Sequence, residues 1–349
     1  MINLNKKSLK KFLLFLVVSV FFTFLKFDTY VNTRISLPNE GIFFEIKPGL
    51  SFSSVMKELS RVSILNESTL FNLYARLTKK AQMIQSGEYH LDPPLTPLHL
   101  LDKFITGDVY LHSLSIIEGT TTKDLINQLL NHRSFSNEEF LKEQLNFKKI
   151  PGQNNNNIEG IFFPETYLFP KNTPIIVILE KSHNLLLKIL DEEWKLRDHG
   201  TSIQNPYQAL ILASIIEKET ALADERERVS GVFHRRLSQQ IKLQSDPTVI
   251  YGIGDNFDGN IRKEHLRSDS PYNTYTRKGL PPSPISLPGR KSIYAALHPS
   301  IGNEIYFVSS GSGDGRHIFS ETKKQHDLAV SEYVRLQKEN LLKKREPLK

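Results

Sequence analysis

At 349 residues the chain is long enough for two or three domains with cores of their own. With 39% hydrophobic and 24% charged residues it is neither a disordered tail nor a multi-span membrane protein. Cysteine is absent, which excludes a disulfide framework, a cysteine nucleophile, thiolate zinc sites and cysteine-held iron–sulfur clusters. The net charge of +7 sits in the tails, with four lysines and no acid in residues 1–11 and six basic against two acidic residues in 335–349. The body between them is close to neutral, so the basic face that nucleic-acid binding needs is missing.

Phe12 to Leu25 is an uncharged run rich in Phe, Leu and Val. Lys10, Lys11 and Lys26 flank it and can snorkel, and no small-x-small cleavage site follows. The expectation is a single membrane anchor over 12–27, with a cleaved signal peptide as the alternative. The lysines ahead of it are expected to hold residues 1–11 in the cytoplasm and send the remainder across the membrane.

A polar linker is expected over 28–41. Phe43–Ile46 then reads as a strand, and Lys47-Pro48-Gly49 as a turn. Ser51 or Ser53 caps a helix with Val55, Met56, Leu59 and Val62 on its inner side. A second helix is predicted over 68–79, a strand over 87–91, and a helix over 96–106. The opening unit partly recurs: Ser115–Gly119 repeats strand and turn, and Thr120–Thr122 cap a helix carrying Leu125, Ile126, Leu129 and Leu130. Pro151-Gly152-Gln153 and Asn154–Asn157 read as a flexible surface loop.

Asn205-Pro206 is a strong helix start, with Asn as N-cap and Pro at the first helical position. From Ala209 to Ile216 every residue but Ser214 is apolar, so this helix is buried nearly all round. Glu217 ends the run. The face it shares holds Ala213, Ser214, Thr220 and Ala221, leaving room for a ligand beside a desolvated carboxyl of raised pKa. The plainer alternative is a solvated carboxylate paired with Lys218. Glu219 lies about 200° round the helix, and local physics does not choose between the two. A further helix starts at Asp224, with Val229, Val232, Phe233 and Leu237 as its apolar stripe.

Seven motifs then occur in order: IEGIFFPETYLF (158–169), ASIIEKET (213–220), LQSDPTVIYGIG (243–254), SPYNTY (270–275), GLPPSPISLPG (279–289), SIYAALHP (292–299) and IYFVSSGSGDGRHIFSETKKQHDLAV (305–330). Together they resemble the YceG-like family of endolytic murein transglycosylases over residues 42–338. The resemblance implies an α+β protein. Its parts would be a cytoplasmic tail (1–11), the anchor (12–27), the linker (28–41), a small LysM-like subdomain (42–112), a connecting region (113–157), a mixed α/β YceG-like catalytic domain (158–338) and a basic tail (339–349). It implies cleavage inside nascent glycan strands to leave 1,6-anhydro-N-acetylmuramic acid ends, without cofactor or metal. It further implies peptidoglycan strands, the inner membrane and peptidoglycan synthases as partners. By the same resemblance the catalytic glutamate, the first of the EKET motif, is Glu217. Two departures stand out: Arg235 replaces an expected Asn, and the Gly311–His317 loop, read as a hairpin tip, is extended.

A lytic transglycosylase can act with one carboxyl, because the nucleophile is the tethered C6 hydroxyl of the same sugar. Gln244, Ser245, Asp246 and Asn273, on loops, together with Thr220 and Glu165, are candidate substrate contacts; turn chemistry is the alternative for each. A hydrolytic muramidase using Asp246 as second carboxylate, and a tethered glycan-binding scaffold without catalysis, remain alternatives. His298, His317 and His326 lack metal-ligand spacing, and loop hydrogen bonding is their expected role.

Overall fold

The computed structural model describes residues 6–136 and 146–345. It divides into two compact units, one of Met1–Ser113 with Leu168–Thr173 and the other of Leu114–Tyr167 with Pro174–Lys349.

The first unit opens with helix α1 (Lys6–Asn32), which is long and apolar enough to cross a membrane over Lys7–Asn32. It continues well past the uncharged run into the segment expected as linker. The reason lies in the residues that follow the run, because Val31 and Ile35 are buried in the core of the unit. Tyr30 packs at a tilt against Phe71 and gives its hydroxyl proton to the Asn66 carbonyl at 2.6 Å. The remaining elements are β1 (Ile42–Ile46), α2 (Phe52–Arg61), α3 (Thr69–Leu77), β2 (Gly87–Leu91) and α4 (Pro97–Thr106). Strands β1 and β2 pair antiparallel, Ile42 opposite Leu91 and Ile46 opposite Gly87. Each helix begins where a side chain can accept an orphan N–H: Ser51 from Ser54, Ser68 from Phe71, Thr96 from His99. Val55, Met56 and Leu59 are buried as the periodicity predicts, while Val62 falls on the helix C-cap and is exposed.

Strand β3 (Leu111–Ser115) pairs with β5 (Thr166–Pro170), and β4 (Phe135–Ser136) with β6 (Thr173–Pro174). The expected recurrence is present in the backbone. Gly49 and Gly119 both adopt the left-handed conformation, at φ 80° and 78°, in the turn before a capped helix. The second of these helices, α5 (Thr122–Asn131), starts with a capping box between Thr121 and Asp124.

The second unit is built on α6 (Ile175–Leu196), α7 (Pro206–Glu219), α8 (Arg226–Ser238) and α11 (Arg290–Leu297), with the short α9 (Asp246–Ile253) and α10 (Lys263–Arg267) between. Helix α7 has Asn205 as N-cap and Pro206 in its first turn, and packs against α6, α8, α9 and α11. That many neighbours is why its sequence is apolar on all sides. The hairpin β7 (Tyr306–Ser309) and β8 (His317–Ser320) carries the Gly-rich stretch at its tip, and α12 (Lys323–Arg345) packs on it. Arg235, the departure from the resemblance, donates to the carbonyls of Ser300 and Glu304 and fixes the segment leading into that hairpin. The Asn-rich loop is tied down rather than free. Asn155 donates to the Pro282 carbonyl at 3.1 Å, Asn157 to Ser283 at 3.0 Å, and Asn157 accepts from Glu159 at 2.8 Å.

Candidate active site

The last turn of α7 presents its two glutamates to different surroundings, as the 200° between them requires. Glu217 is almost wholly buried, its side chain 6% exposed. Arg226 donates to its Oε1 at 3.0 Å, and the backbone N–H of Gly289 donates to its Oε2 at 3.0 Å. The apolar walls expected from the sequence are therefore replaced by a buried ion pair. Lys218 turns away to the Gly119 carbonyl. Glu118 lies directly over Gly289, so close that a Cβ there would collide with its carboxylate. Burial raises the Glu118 pKa, and the charge of Glu217 raises it further. On this side of α7 opens a cavity of 730 Å³ whose walls include Glu118, Glu165, Arg226 and Lys291.

Glu219 faces the other way, into a cavity of 370 Å³ that also holds Gln244, Asp246, Tyr275, His317 and His326. Its pKa is pushed up to about 7, chiefly by burial. A hydrogen bond donated by Ser245 works against that rise, the charge of Asp246 adds to it, and Arg236 opposes it. Tyr275 donates to Asp246 Oδ1 at 2.5 Å, and its own pKa is raised by burial and by that bond. Arg236 crosses behind the cavity, donating to the carbonyls of Leu243, Lys242 and Ile305 and to the Gln244 side chain. His317 donates to the buried Glu225 at 2.8 Å. His326 stacks on Tyr306, with its pKa lowered first by burial and then by Lys323 and Arg236.

The candidate residues read from the sequence thus separate. Gln244 and Asp246 line the cavity of Glu219, and Ser245 bonds Glu219 itself. Gln244 takes a positive φ of 56° to turn the chain there. Glu165 lies on the Glu217 side. Thr220 is the C-cap of α7, and its hydroxyl accepts from Leu222. Asn273 is buried with its amide donating to the carbonyls of His265 and Ser268 and accepting from Tyr275 N–H. Its side chain holds the loop that delivers Tyr275; turn chemistry accounts for it. Sequence reading passed over Tyr275, Arg226 and Glu118. Tyr275 ended a quoted motif and was the one with a visible signal. Among the described residues no group of three or more His, Cys, Asp or Glu side chains is arranged to hold a metal ion.

The profile of the YceG-like family matches residues 44–332. The chain belongs to the YceG-like family. Among relatives, an endolytic murein transglycosylase of Bacillus subtilis is 28% identical over 331 residues, covering 88% of this chain and 86% of the relative. One of Streptococcus pneumoniae is 24% identical over 330 residues, covering 83% of this chain and 58% of the relative. The crystal structure of a YceG-like protein from Listeria monocytogenes is similar at a TM-score of 0.51 and 25% identity, covering 83% of this chain and 99% of that one. The family likeness thus takes in both glutamates of α7 and both cavities beside them.

Proposed function

We propose that this YceG-like chain is a membrane-anchored lytic transglycosylase that cuts the MurNAc–GlcNAc bond within peptidoglycan glycan strands, with Glu219 as the proton carrier. The names of its relatives support the reaction class. One observation carries the choice of residue: a carboxyl raised to about 7, in a cavity lined by hydroxyl, amide and imidazole groups suited to sugar hydroxyls. A general acid works best with a pKa near the working pH. Glu219 as acid protonates the glycosidic oxygen; as carboxylate it then takes the proton of the C6 hydroxyl, which closes on C1. Proton transfer of this kind contributes about 10²–10⁴-fold. Ser245 orients the carboxyl through its hydrogen bond, and the Asp246–Tyr275 pair forms the opposite wall.

Glu217 is the second reading, favoured by the resemblance and by its position beside the larger cavity. With both oxygens held by Arg226 and Gly289, it reads better as the fixed support of that turn. The test is mass spectrometry of products from purified strands with Glu219→Gln and Glu217→Gln. Glu219→Gln is expected to abolish anhydro ends while leaving the protein folded. Full turnover by Glu219→Gln together with a dead Glu217→Gln would return the role to Glu217. Products heavier by one water would instead make the enzyme a hydrolase with Asp246 as partner.

The order β1-α2-α3-β2, with the two strands paired antiparallel, supports a LysM-like reading of the first unit. The lysines in the first turns of α1, ahead of its uncharged run, support a cytoplasmic N-terminus and export of everything after the helix. Synthases that lay down new strands are the enzymes such a protein would meet.

A further inference from the structure

Within the first unit, α3 lies against α1, and the register of that contact fixes where α3 ends. Tyr74 packs against Phe27 with ring centres 5.3 Å apart, and Phe71 against Tyr30 at 5.8 Å. Three residues forward along α3 thus match three residues back along α1, so the helices run antiparallel and α3 descends toward the uncharged run. Three residues more, about 4.5 Å, carry Leu77 to the level of Phe24, inside that run. Leu77 is 75% exposed at the end of α3, and Leu73, one turn above it on the same outer face, is 50% exposed. A single exposed leucine needs no explanation, but these two keep particular company. From Ser68 to Gly87 the chain has no acidic residue, and its cations are Arg76, Lys79 and Lys80. Lys80 is paired with Asp102, whereas Lys79, exposed just past Leu77, makes no ion pair among the described residues. Arg76 is exposed too and donates to the Ser53 hydroxyl. Phe27, Tyr30 and Tyr74 form an aromatic collar beside Lys26, where the uncharged run ends. An apolar tip with cations close behind and tyrosines at its level is what a helix presents to a bilayer surface.

We propose that the tip of α3 seats in the exported-side surface of the bilayer that α1 crosses, with Leu77 among the upper acyl chains and Lys79 and Arg76 at lipid phosphates. The proposal rests on the membrane-anchor reading above and deepens it: the first unit stands on the lipid at two points, so its rotation about α1 is set as well. Long cationic stems let the leucine sink while the charges reach back to the headgroups. At the level of Phe24 the medium around α1 is lipid, and depth and charge both argue for that occupant.

The experiment uses the full-length protein in vesicles of phosphatidylcholine and phosphatidylglycerol. The chain has no cysteine, so Thr78→Cys at the α3 C-cap and, separately, Phe22→Cys in α1 each carry a single fluorophore. Lipids brominated on the upper acyl chain report contact with hydrocarbon as a loss of emission. Both labels are expected to be quenched, the one at position 78 from a depth of about 5–10 Å into the headgroup boundary. Adding Leu77→Gln to the Thr78→Cys protein is expected to weaken seating roughly tenfold or more, the worth of one buried leucine. Adding Lys79→Gln is expected to weaken it about fivefold, the worth of one cation at an anionic surface. Leu77 is exposed, so a thermal scan of its variant is expected to match the parent. A quenched label at position 22 with an unquenched one at position 78 overturns the proposal and leaves the anchor standing. An unquenched label at position 22 overturns the anchor and the proposal with it. Quenching at position 78 that neither added substitution reduces comes from the fluorophore itself, and that result overturns the proposal too.

Discussion

Glu219 is a carboxyl that folding makes harder to ionise, and both activity and stability inherit the sign of that shift. Its folded pKa of about 7 lies above the ordinary value of 4.5, so the folded protein holds more protons than the unfolded chain between those two pH values. Stability consequently falls as pH rises through that window. Glu219→Gln removes the dependence: the variant is expected to melt higher than wild type at pH 7.5, with the gap closing near pH 4.5, as scanning calorimetry would report. With Glu219 as the proposed acid, cleavage needs its protonated form, so kcat/KM is expected to decline above pH 7 by tenfold per pH unit. A flat profile to pH 9 would count against Glu219 as the acid. Tyr275 supplies the hydrogen bond that holds Asp246 in place. Its removal in Tyr275→Phe is expected to lower kcat by about 10-fold or more, the cost of one bond to a charged group. The sequence made the helix, its buried faces and the opposed directions of Glu217 and Glu219 legible. What lay on either side was not legible, because Arg226, Gly289, Ser245 and Tyr275 are brought in by packing between separate elements. Local spacing gives no view of such partners.

Helix α7 works as a post to which loops are sewn. Ser214, read from the sequence as a small neighbour of Glu217, has its hydroxyl in two bonds, donating to Ile211 O and accepting from Ile285 N–H. Its carbonyl takes a third from Ser286. Leu287 and Gly289 then continue the seam, Leu287 with Gly119 and Thr120, Gly289 with Glu217. Ser214→Ala would leave the buried Ile285 N–H without an acceptor, at a cost of about 1–3 kcal/mol. Chemical denaturation should show the loss as a lower midpoint with an unchanged slope. Element starts were readable wherever a side chain sets them locally, as at Ser51, Ser68, Thr96, Thr121 and Asn205. The Asn-rich loop was misread because its polar composition hides the Pro282 and Ser283 partners that hold it.

On the scale of the molecule, the helix that is apolar enough to cross a membrane also belongs to the core of the first unit. Phe27 packs at a tilt against Tyr74, Val31 and Ile35 enter the core, and the Ile35 N–H donates to the Leu95 carbonyl at 2.7 Å. A soluble form starting at residue 27 is expected to keep this unit folded. One starting at residue 37 loses two buried aliphatic side chains, each worth about 2–5 kcal/mol, and should melt well below the longer form in a thermal scan. The uncharged apolar run made the long N-terminal helix legible. Its continuation into the core was not, since Asp28 to Asn39 looks polar in bulk and hides the few apolar positions that point inward.

Where α1 spans a bilayer as proposed, its unbroken run into that core leaves the first unit no tether to swing on. Whatever slant the lipids impose on the helix is passed on to the body seated at its end, in the way a nail fixes its own head. A thicker bilayer or a mismatched one would then reorient that first unit directly, making lipid composition a quantity to which its posture responds.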